Sequence, residues 1–260
     1  MTPLSVLLAE DNVVNQRVAA ALLATIGHRV TVCNNGREAV QAVESGHFDV
    51  ILMDIQMPVL DGLAATAEIR ALPDPAKARI PILAISANVR EDDVARYSEG
   101  GIDHVLSKPL RPDALKSMLA KIILGDGPAP APTDTPADGP AEDLMDGPLG
   151  AEDLMDGPQV AALREALPPE KLSELYGVAK QSLLTGAEML RDGWQRGDPA
   201  DIKTAAHRLA GVARNFGCLA LGKCAGRIED AAKAGATGQD HQAAFEALLT
   251  ASLTALPTDR

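Results

Sequence analysis

The first 124 residues alternate short apolar runs with segments in which apolar residues recur at helical spacing. The apolar runs are LSVLLA, HRVTVC, FDVILMD, IPILAIS and DHVLS. Apolar runs of strand length, separated by helical segments, predict a parallel sheet with helices on both faces. The third and fourth runs are almost continuously apolar, which is typical of central strands. We therefore predict an α/β doubly wound, five-stranded parallel sheet over residues 1–124.

Residues 125–159 have a different composition. They include seven prolines and nine acidic residues, and they contain no Lys, Arg or aromatic residue. A segment of this kind cannot bury an apolar core and is predicted to be a disordered acidic linker. The octapeptide AEDLMDGP occurs twice in it, at 141–148 and 151–158, and we assign it no chemistry.

Residues 160–260 lack β-rich runs, and their apolar residues recur at helical spacing. Asp198 and Pro199 together form a helix-start signal, because Asp caps helices and Pro fits the first turn. Several helices with short connections in about 100 residues predict an all-α four-helix bundle. One predicted helix carries a core-facing apolar stripe, at spacings of three and four, made of Ile202, Ala205, Leu209, Val212 and Phe216.

His207 lies on the face of this helix opposite the apolar stripe, with Lys203, Gly211 and Arg214. The helical repeat therefore predicts a solvent-facing imidazole with two cations beside it and a glycine that leaves room for a partner. Such a histidine is a candidate phosphoryl carrier. An exposed histidine on a helix is also commonly a surface residue without a role.

Charge and composition exclude several other classes. The formal net charge is −12 and no basic cluster is visible, which argues against nucleic-acid binding. The three cysteines show neither metal-ligand nor disulfide spacing, so free thiols in a reducing cytosol are predicted. No signal peptide or membrane-length apolar run is visible, so we predict a cytoplasmic protein without membrane contact. A P-loop is also missing, so ATP-dependent autophosphorylation is not expected.

Polar residues follow four of the five predicted strands. They are Glu10 and Asp11 after the first strand, Asp54 at the end of the third, Ser86 (followed by Ala87) at the end of the fourth, and Lys108 (followed by Pro109) after the fifth. Ligands of parallel α/β sheets bind beyond the carboxyl ends of the strands, so these groups should converge. Each could alone be a solvated loop end or helix cap. Three crowded carboxylates, however, favour a hard cation such as Mg²⁺.

A phosphoryl group would give each of these residues a role. Asp54 would attack phosphorus in line, while Lys108 and Ser86 would hold phosphoryl oxygens as charge develops. The sequence therefore predicts self-catalysed phosphorylation of an aspartate.

The motifs LLAEDNVVNQ, ILMDIQMPVLDG, AISAN and LSKPL resemble those of response-regulator receiver domains, especially the receivers of hybrid sensor kinases. The resemblance implies a flavodoxin-like strand order of 2-1-3-4-5 and Asp54 as phosphoacceptor. It implies Mg²⁺ bound by Asp11, Asp54 and the backbone carbonyl of Gln56, with Glu10 acting through water. It also implies that Lys108 pairs with the phosphoryl group, that Ser86 is a switch residue and that the Lys108–Pro109 bond is cis. Val105 stands where the family often has Tyr or Phe.

The segment AHRLAGVARNFGCLAL resembles a histidine-containing phosphotransfer (Hpt) domain. His207, Leu209, Gly211 and Gly217 match that family's pattern, which implies that His207 is a phosphoacceptor. Ala210 replaces the family's usual Lys, which would leave stabilisation of the phosphoryl group to Arg214 and Lys203.

These observations predict a phosphorelay protein whose partners are a sensor histidine kinase and a downstream response regulator. A phosphorylation-gated interaction module, or a phosphate sink in which His207 takes no part in forward relay, is the alternative. A haloacid-dehalogenase-like phosphohydrolase would need a second Asp two residues after Asp54, where this chain has Gln56. The direction of transfer, and transfer within or between chains, stay open.

Overall fold

The computed structural model describes residues 2–86, 91–124 and 154–257. The chain divides into two compact units, one from each end. Ala87 and almost all of the predicted linker, with the first copy of the octapeptide, lie outside the described residues.

The first unit is a five-stranded parallel sheet with helices packed around it. The strands are β1 (Ser5–Ala9), β2 (Arg29–Cys33), β3 (Val50–Asp54), β4 (Ile82–Ser86) and β5 (His104–Ser107). The helices are α1 (Val13–Thr25), α2 (Gly36–Ser45), α3 (Gly62–Arg70), α4 (Pro75–Ala78), α5 (Glu91–Glu99) and α6 (Pro112–Leu124). The strand order β2-β1-β3-β4-β5 confirms the prediction.

β3 and β4 form the centre of the core. Every residue of both strands is buried, as their continuous apolar runs predicted. The register places Asp54 beside Ile85 and Ser86 beside Ser107. The polar ends of β3, β4 and β5 therefore lie at the same edge of the sheet.

The second unit is helical throughout its described residues. Its helices are α7 (Gly157–Ala166), α8 (Pro169–Arg196), α9 (Pro199–Asn215), α10 (Leu219–Lys233) and α11 (Gln242–Ala255), with a 3₁₀ turn at Gln239–His241. α7 includes the last three residues of the predicted linker, because Asp156 caps it by accepting from the amide of Gln159. The predicted domain boundaries stay predictions.

Helices α8 to α11 pack as a four-helix bundle. α9 lies against both α8 and α10, and α10 lies against α11. The predicted stripe of α9 is confirmed, since each of its five residues is at most 1% exposed. Asp198 caps α9 as predicted, by accepting from the amides of Ala200 and Asp201.

Trp194 closes the bundle between α8 and α11. Its indole packs edge-on against Phe245, with ring centroids 5.9 Å apart. The indole Nε1 donates to the carbonyl of Thr237 at 2.9 Å. Within the described residues, no helix is both long enough and apolar enough to cross a membrane.

Candidate functional site

The site of the first unit is centred on a buried lysine. Lys108 Nζ donates to Asp54 Oδ2 at 2.6 Å and to Glu10 Oε2 at 2.8 Å. The side chains of Lys108, Glu10 and Asp54 are 4%, 4% and 2% exposed. Residues from the ends of β1, β3 and β5 therefore meet, as the sequence predicted.

Burial and charge act against each other in this cluster. Burial favours a neutral Lys108, but the carboxylates of Asp54 and Glu10 outweigh it and raise the pKa of the ammonium above its usual value. Burial also raises the pKa of Glu10, although Lys108 acts in the opposite direction. The lysine is therefore held as a cation beside Asp54.

The chain positions the two carboxylates with local hydrogen bonds. Glu10 Oε1 accepts from the amide of Asn12 at 3.2 Å and from Asn15 Nδ2 at 2.9 Å. Asp54 Oδ1 accepts from the backbone amide of Gln56 at 3.1 Å. These bonds fix which carboxylate oxygens face Lys108. The backbone carbonyl of Gln56, two residues after Asp54, stays a predicted ligand of Mg²⁺.

Glu10, Asp11 and Asp54 can together hold a metal ion. One carboxylate oxygen from each lies within 4.8 Å of the other two. Three ionised carboxylates exceed the single Lys108 ammonium by two negative charges, which is the charge of a divalent cation. Oxygen donors of this kind suit a hard ion.

Ser86 ends β4 beside this cluster. Its backbone carbonyl accepts from the amide of Lys108 at 2.7 Å. Its hydroxyl lies 3.3 Å from the hydroxyl of Tyr97 on α5, and both side chains are buried. The Lys108–Pro109 bond is cis, as the resemblance implied.

The site of the second unit differs from the prediction at His207. The imidazole was expected to face solvent, but its side chain is only 16% exposed and its Nδ1 is buried. Nδ1 lies 3.3 Å from Oε1 of Glu229 on α10. The neighbouring helix therefore covers one side of the ring.

Glu229 is a buried anion between two basic groups. Its Oε1 lies 2.7 Å from Lys233 Nζ as well as 3.3 Å from the imidazole. Burial raises the pKa of Glu229, but His207 and Lys233 overcome that effect and lower it to about 2. A proton on Nδ1 of His207 would face this carboxylate, which leaves the Nε2 lone pair to react.

The other predicted residues around His207 are only partly brought together. Lys203 is exposed, Arg214 is half-buried, and Gly211 is buried. The prediction that Gly211 leaves room for a partner beside the imidazole stays a prediction. Ala210, which stands where Hpt domains usually have Lys, is fully buried.

Two family comparisons cover most of the chain. Residues 6–120 match the response regulator receiver domain, and residues 159–258 match the Hpt domain. The chain joins a receiver domain to an Hpt domain. This pair of domains belongs to phosphorelay signal transduction.

The chain spans about a quarter of the length of two curated relatives that it matches over most of its own length. The chain is 32% identical to the sensor histidine kinase AruS of Pseudomonas aeruginosa over 94% of its own length, which is 22% of that protein. It is 28% identical to the aerobic respiration control sensor protein ArcB of Escherichia coli over 87% of its own length, which is 28% of that protein.

One similar solved structure is a receiver alone. It is the receiver domain of the sensor histidine kinase PA1611 from Pseudomonas aeruginosa PAO1, with a magnesium ion coordinated in its active-site cleft. It is 40% identical, covers 47% of this chain and 98% of its own, and has a TM-score of 0.44.

Sequence reasoning missed Tyr97 in the receiver and Glu229 in the Hpt domain. Tyr97 is the one aromatic residue in the segment EDDVARYSE, which was a usable signal for a buried contact. Glu229 lies 22 residues after His207 and is surrounded by other acidic and basic residues, so no local pattern distinguishes it. Its role becomes visible only when α9 and α10 are paired.

Proposed function

We propose that the chain carries phosphoryl groups in a phosphorelay, first on Asp54 and then on His207. The proposal rests on two contacts that occur in the same chain. The buried Lys108 donates to Asp54, and the carboxylate of Glu229 lies beside Nδ1 of His207. Each acceptor side chain then lies against a charged partner. The two acceptors are of the kinds that exchange phosphoryl groups, a carboxylate and an imidazole.

At Asp54, a carboxylate oxygen attacks the phosphorus of a phosphohistidine. The new P–O bond forms as the P–N bond breaks, and the donor imidazole leaves. The Lys108 ammonium, already 2.6 Å from Asp54 Oδ2, compensates charge on the phosphoryl oxygens. The Ser86 hydroxyl would contribute a further contact to the phosphoryl oxygens, and Ala87 and Pro109 stay predicted supporting residues.

Glu10, Asp11 and Asp54 would hold Mg²⁺, with the backbone carbonyl of Gln56 as a further ligand. Their clustered oxygens support this assignment. When bound, the ion would neutralise negative charge on the carboxylates and the phosphoryl group.

At His207, Nε2 attacks the phosphorus of an aspartyl phosphate. The P–O bond breaks, the aspartate carboxylate is restored, and the ring becomes positively charged while keeping its Nδ1 proton. Glu229 stabilises that charge through Nδ1. Transfer onward to a second aspartate is the reverse of this step.

The partners follow from the two acceptors. A sensor histidine kinase would supply the phosphoryl group to Asp54, and a downstream response regulator receiver would take it from His207. We place the relay in the cytoplasm. The receiver supplies the catalysis of its own phosphorylation, and no kinase activity toward ATP is proposed.

The test is phosphorylation of the full chain by acetyl phosphate with Mg²⁺, with acyl phosphate and phosphohistidine separated by base and acid lability. Asp54→Asn should lose both labels, and His207→Gln should lose only the acid-labile one. Asp113→Asn and His47→Gln, two exposed positions, are the matched controls.

Acyl phosphate retained in Asp54→Asn would contradict the assignment of the first acceptor. A wild-type chain that never forms phosphohistidine, even when mixed with a separate phosphorylated receiver, would contradict the second. The Hpt domain would then be an interaction module or phosphate sink.

A further inference from the structure

A stripe on α10 faces the His207 side of α9. It consists of Gly222, Gly226, Glu229 and Lys233, at spacings of four, three and four, which places them on one helical face. Two glycines in a helix interior weaken the helix, so their presence needs a local reason. The structure supplies that reason in Arg214 of α9.

Arg214 lies along the two glycines. A Cβ atom at Gly222 would lie 2.8 Å from Arg214 Cγ, and a Cβ at Gly226 would lie 2.9 Å from Arg214 Nη2. The side chain therefore runs from the level of Gly222 to the level of Gly226. A side chain on either glycine would occupy its path.

This path leads toward the histidine. α9 and α10 are joined by a short turn and run antiparallel. Along α10, Gly226 lies between Gly222 and Glu229, the residue that contacts His207. Gly226 and Glu229 are three residues apart, about 4.5 Å along the helix axis. The guanidinium therefore lies at the level of Gly226, about 4.5 Å along α10 from the level of the residue that contacts the imidazole.

Two other cations near His207 differ from Arg214 in their contacts or exposure. Lys233 is engaged with Glu229 at 2.7 Å and with Asp230 at 3.2 Å. Lys203 is exposed, and position 210 is a buried alanine. Arg214 is half-buried, so it has a fixed path and keeps access to solvent.

We propose that Arg214 binds the phosphoryl oxygens of phosphorylated His207, and that Gly222 and Gly226 are positioning residues that lay its guanidinium along α10. The proposal rests on the proposed function of His207. A guanidinium presents several N–H donors in a planar fork that matches phosphoryl oxygens. The glycine path keeps that fork near the imidazole before the phosphoryl group arrives, so less order has to be gained during transfer.

The experiment uses the full chain with acetyl phosphate and Mg²⁺ and measures the ratio of phosphohistidine to acyl phosphate at equilibrium. Arg214→Met should lower the ratio about tenfold, the loss expected for a charge-assisted hydrogen bond. Arg214→Lys keeps the charge but not the planar fork, so its ratio should lie between those of the wild type and Arg214→Met.

Gly226→Ala is the decisive variant. Its methyl group meets only the flexible tip of Arg214, so the helix should fold while the guanidinium moves. It should lower the ratio as Arg214→Met does, and the double variant Gly226→Ala with Arg214→Met should be no worse than Arg214→Met alone. Gly177→Ala, on an open face of α8, is the matched control and should leave the ratio unchanged.

The ³¹P NMR shift of phosphohistidine supplies a second readout, which a purely structural glycine would not move. It should change in Arg214→Met and in Gly226→Ala alike. An unchanged ratio and shift in Gly226→Ala, or additive losses in the double variant, would overturn this inference while the relay stands. A wild-type chain that forms no phosphohistidine would instead overturn the proposed function, and this inference with it.

Discussion

Two buried residues, one a cation and one an anion, lie beside the proposed acceptor groups of this chain. In the receiver domain, the cation Lys108 lies between the carboxylates of Asp54 and Glu10. In the Hpt domain, the anion Glu229 lies between His207 and Lys233. Each buried charge is paired, which is the condition under which burying it is tolerable. The pairs also fix the orientation of the two acceptor groups.

The pairing of Glu229 predicts a pH-dependent stability of the Hpt domain. Its pKa is lowered from 4.5 to about 2, so its contribution is present above pH 4.5 and is lost as the pH falls toward 2. The full shift corresponds to roughly 3 kcal/mol of the free energy of unfolding, and the part due to the charge of His207 is present only while the imidazole is protonated. Glu229→Gln should lose this contribution at pH 7 and lose less at pH 3.

Urea unfolding at the two pH values measures the difference between Glu229→Gln and the wild type. Glu165→Gln, at an exposed position of α7, is the control and should change little at either pH. A loss in Glu229→Gln that is equal at pH 7 and pH 3 would contradict the ion-pair explanation.

At the scale of elements, the turn from β3 into α3 is fixed by its backbone. Asp61 caps α3 by accepting from the amide of Ala64 at 2.8 Å. Gly62 donates its amide to the carbonyl of Ile55 at 3.0 Å. A Cβ atom at Gly62 would collide with the backbone carbonyl of Asp54, which only backbone movement could relieve. Glycine is therefore required directly behind the strand that ends in Asp54.

Gly62→Ala should destabilise the receiver domain by about 1–3 kcal/mol through overpacking. It should also slow labelling of Asp54 by acetyl phosphate, because the end of β3 has to move. Thermal unfolding and labelling of the same preparation measure the two effects. Ala67→Gly, exposed on the same helix, should cost about 1 kcal/mol of helix propensity and leave labelling unchanged.

The cluster at the strand ends was predictable, because each group directly follows an apolar run in the sequence. The strand order was predicted from the resemblance to receiver domains. The proximity of Asp54 and Lys108 could be predicted from a single rule, that the carboxyl ends of parallel strands lie at the same edge of the sheet. Contacts between helices were not predictable in the same way. Glu229 and Gly226 acquire their roles from the register of α10 against α9, which no local pattern encodes. The expected exposure of His207 was wrong for the same reason.

At the scale of the whole molecule, the two proposed acceptors stand on separate units of one chain. The predicted linker is 35 residues long, and a flexible chain of that length spans roughly 30 Å on average. A tether of that length would keep the Hpt domain at a high effective concentration around the receiver. We therefore expect transfer from Asp54 to His207 within one chain.

The rate of phosphohistidine formation should then be independent of protein concentration over a hundredfold dilution. A mixture of Asp54→Asn and His207→Gln chains, which can react only between molecules, should be slower than the wild type and should slow further on dilution. Equal rates in the mixture and the wild type would show that transfer runs between chains.

Trp194 is the single tryptophan of the chain, and it lies in the Hpt domain against Phe245. The receiver domain contains one tyrosine, Tyr97, whose hydroxyl is 3.3 Å from that of Ser86. Indole emission therefore reports on the helical bundle alone. Fluorescence excited at the red edge, where tyrosine does not absorb, separates the melting of one half from that of the other without any added dye.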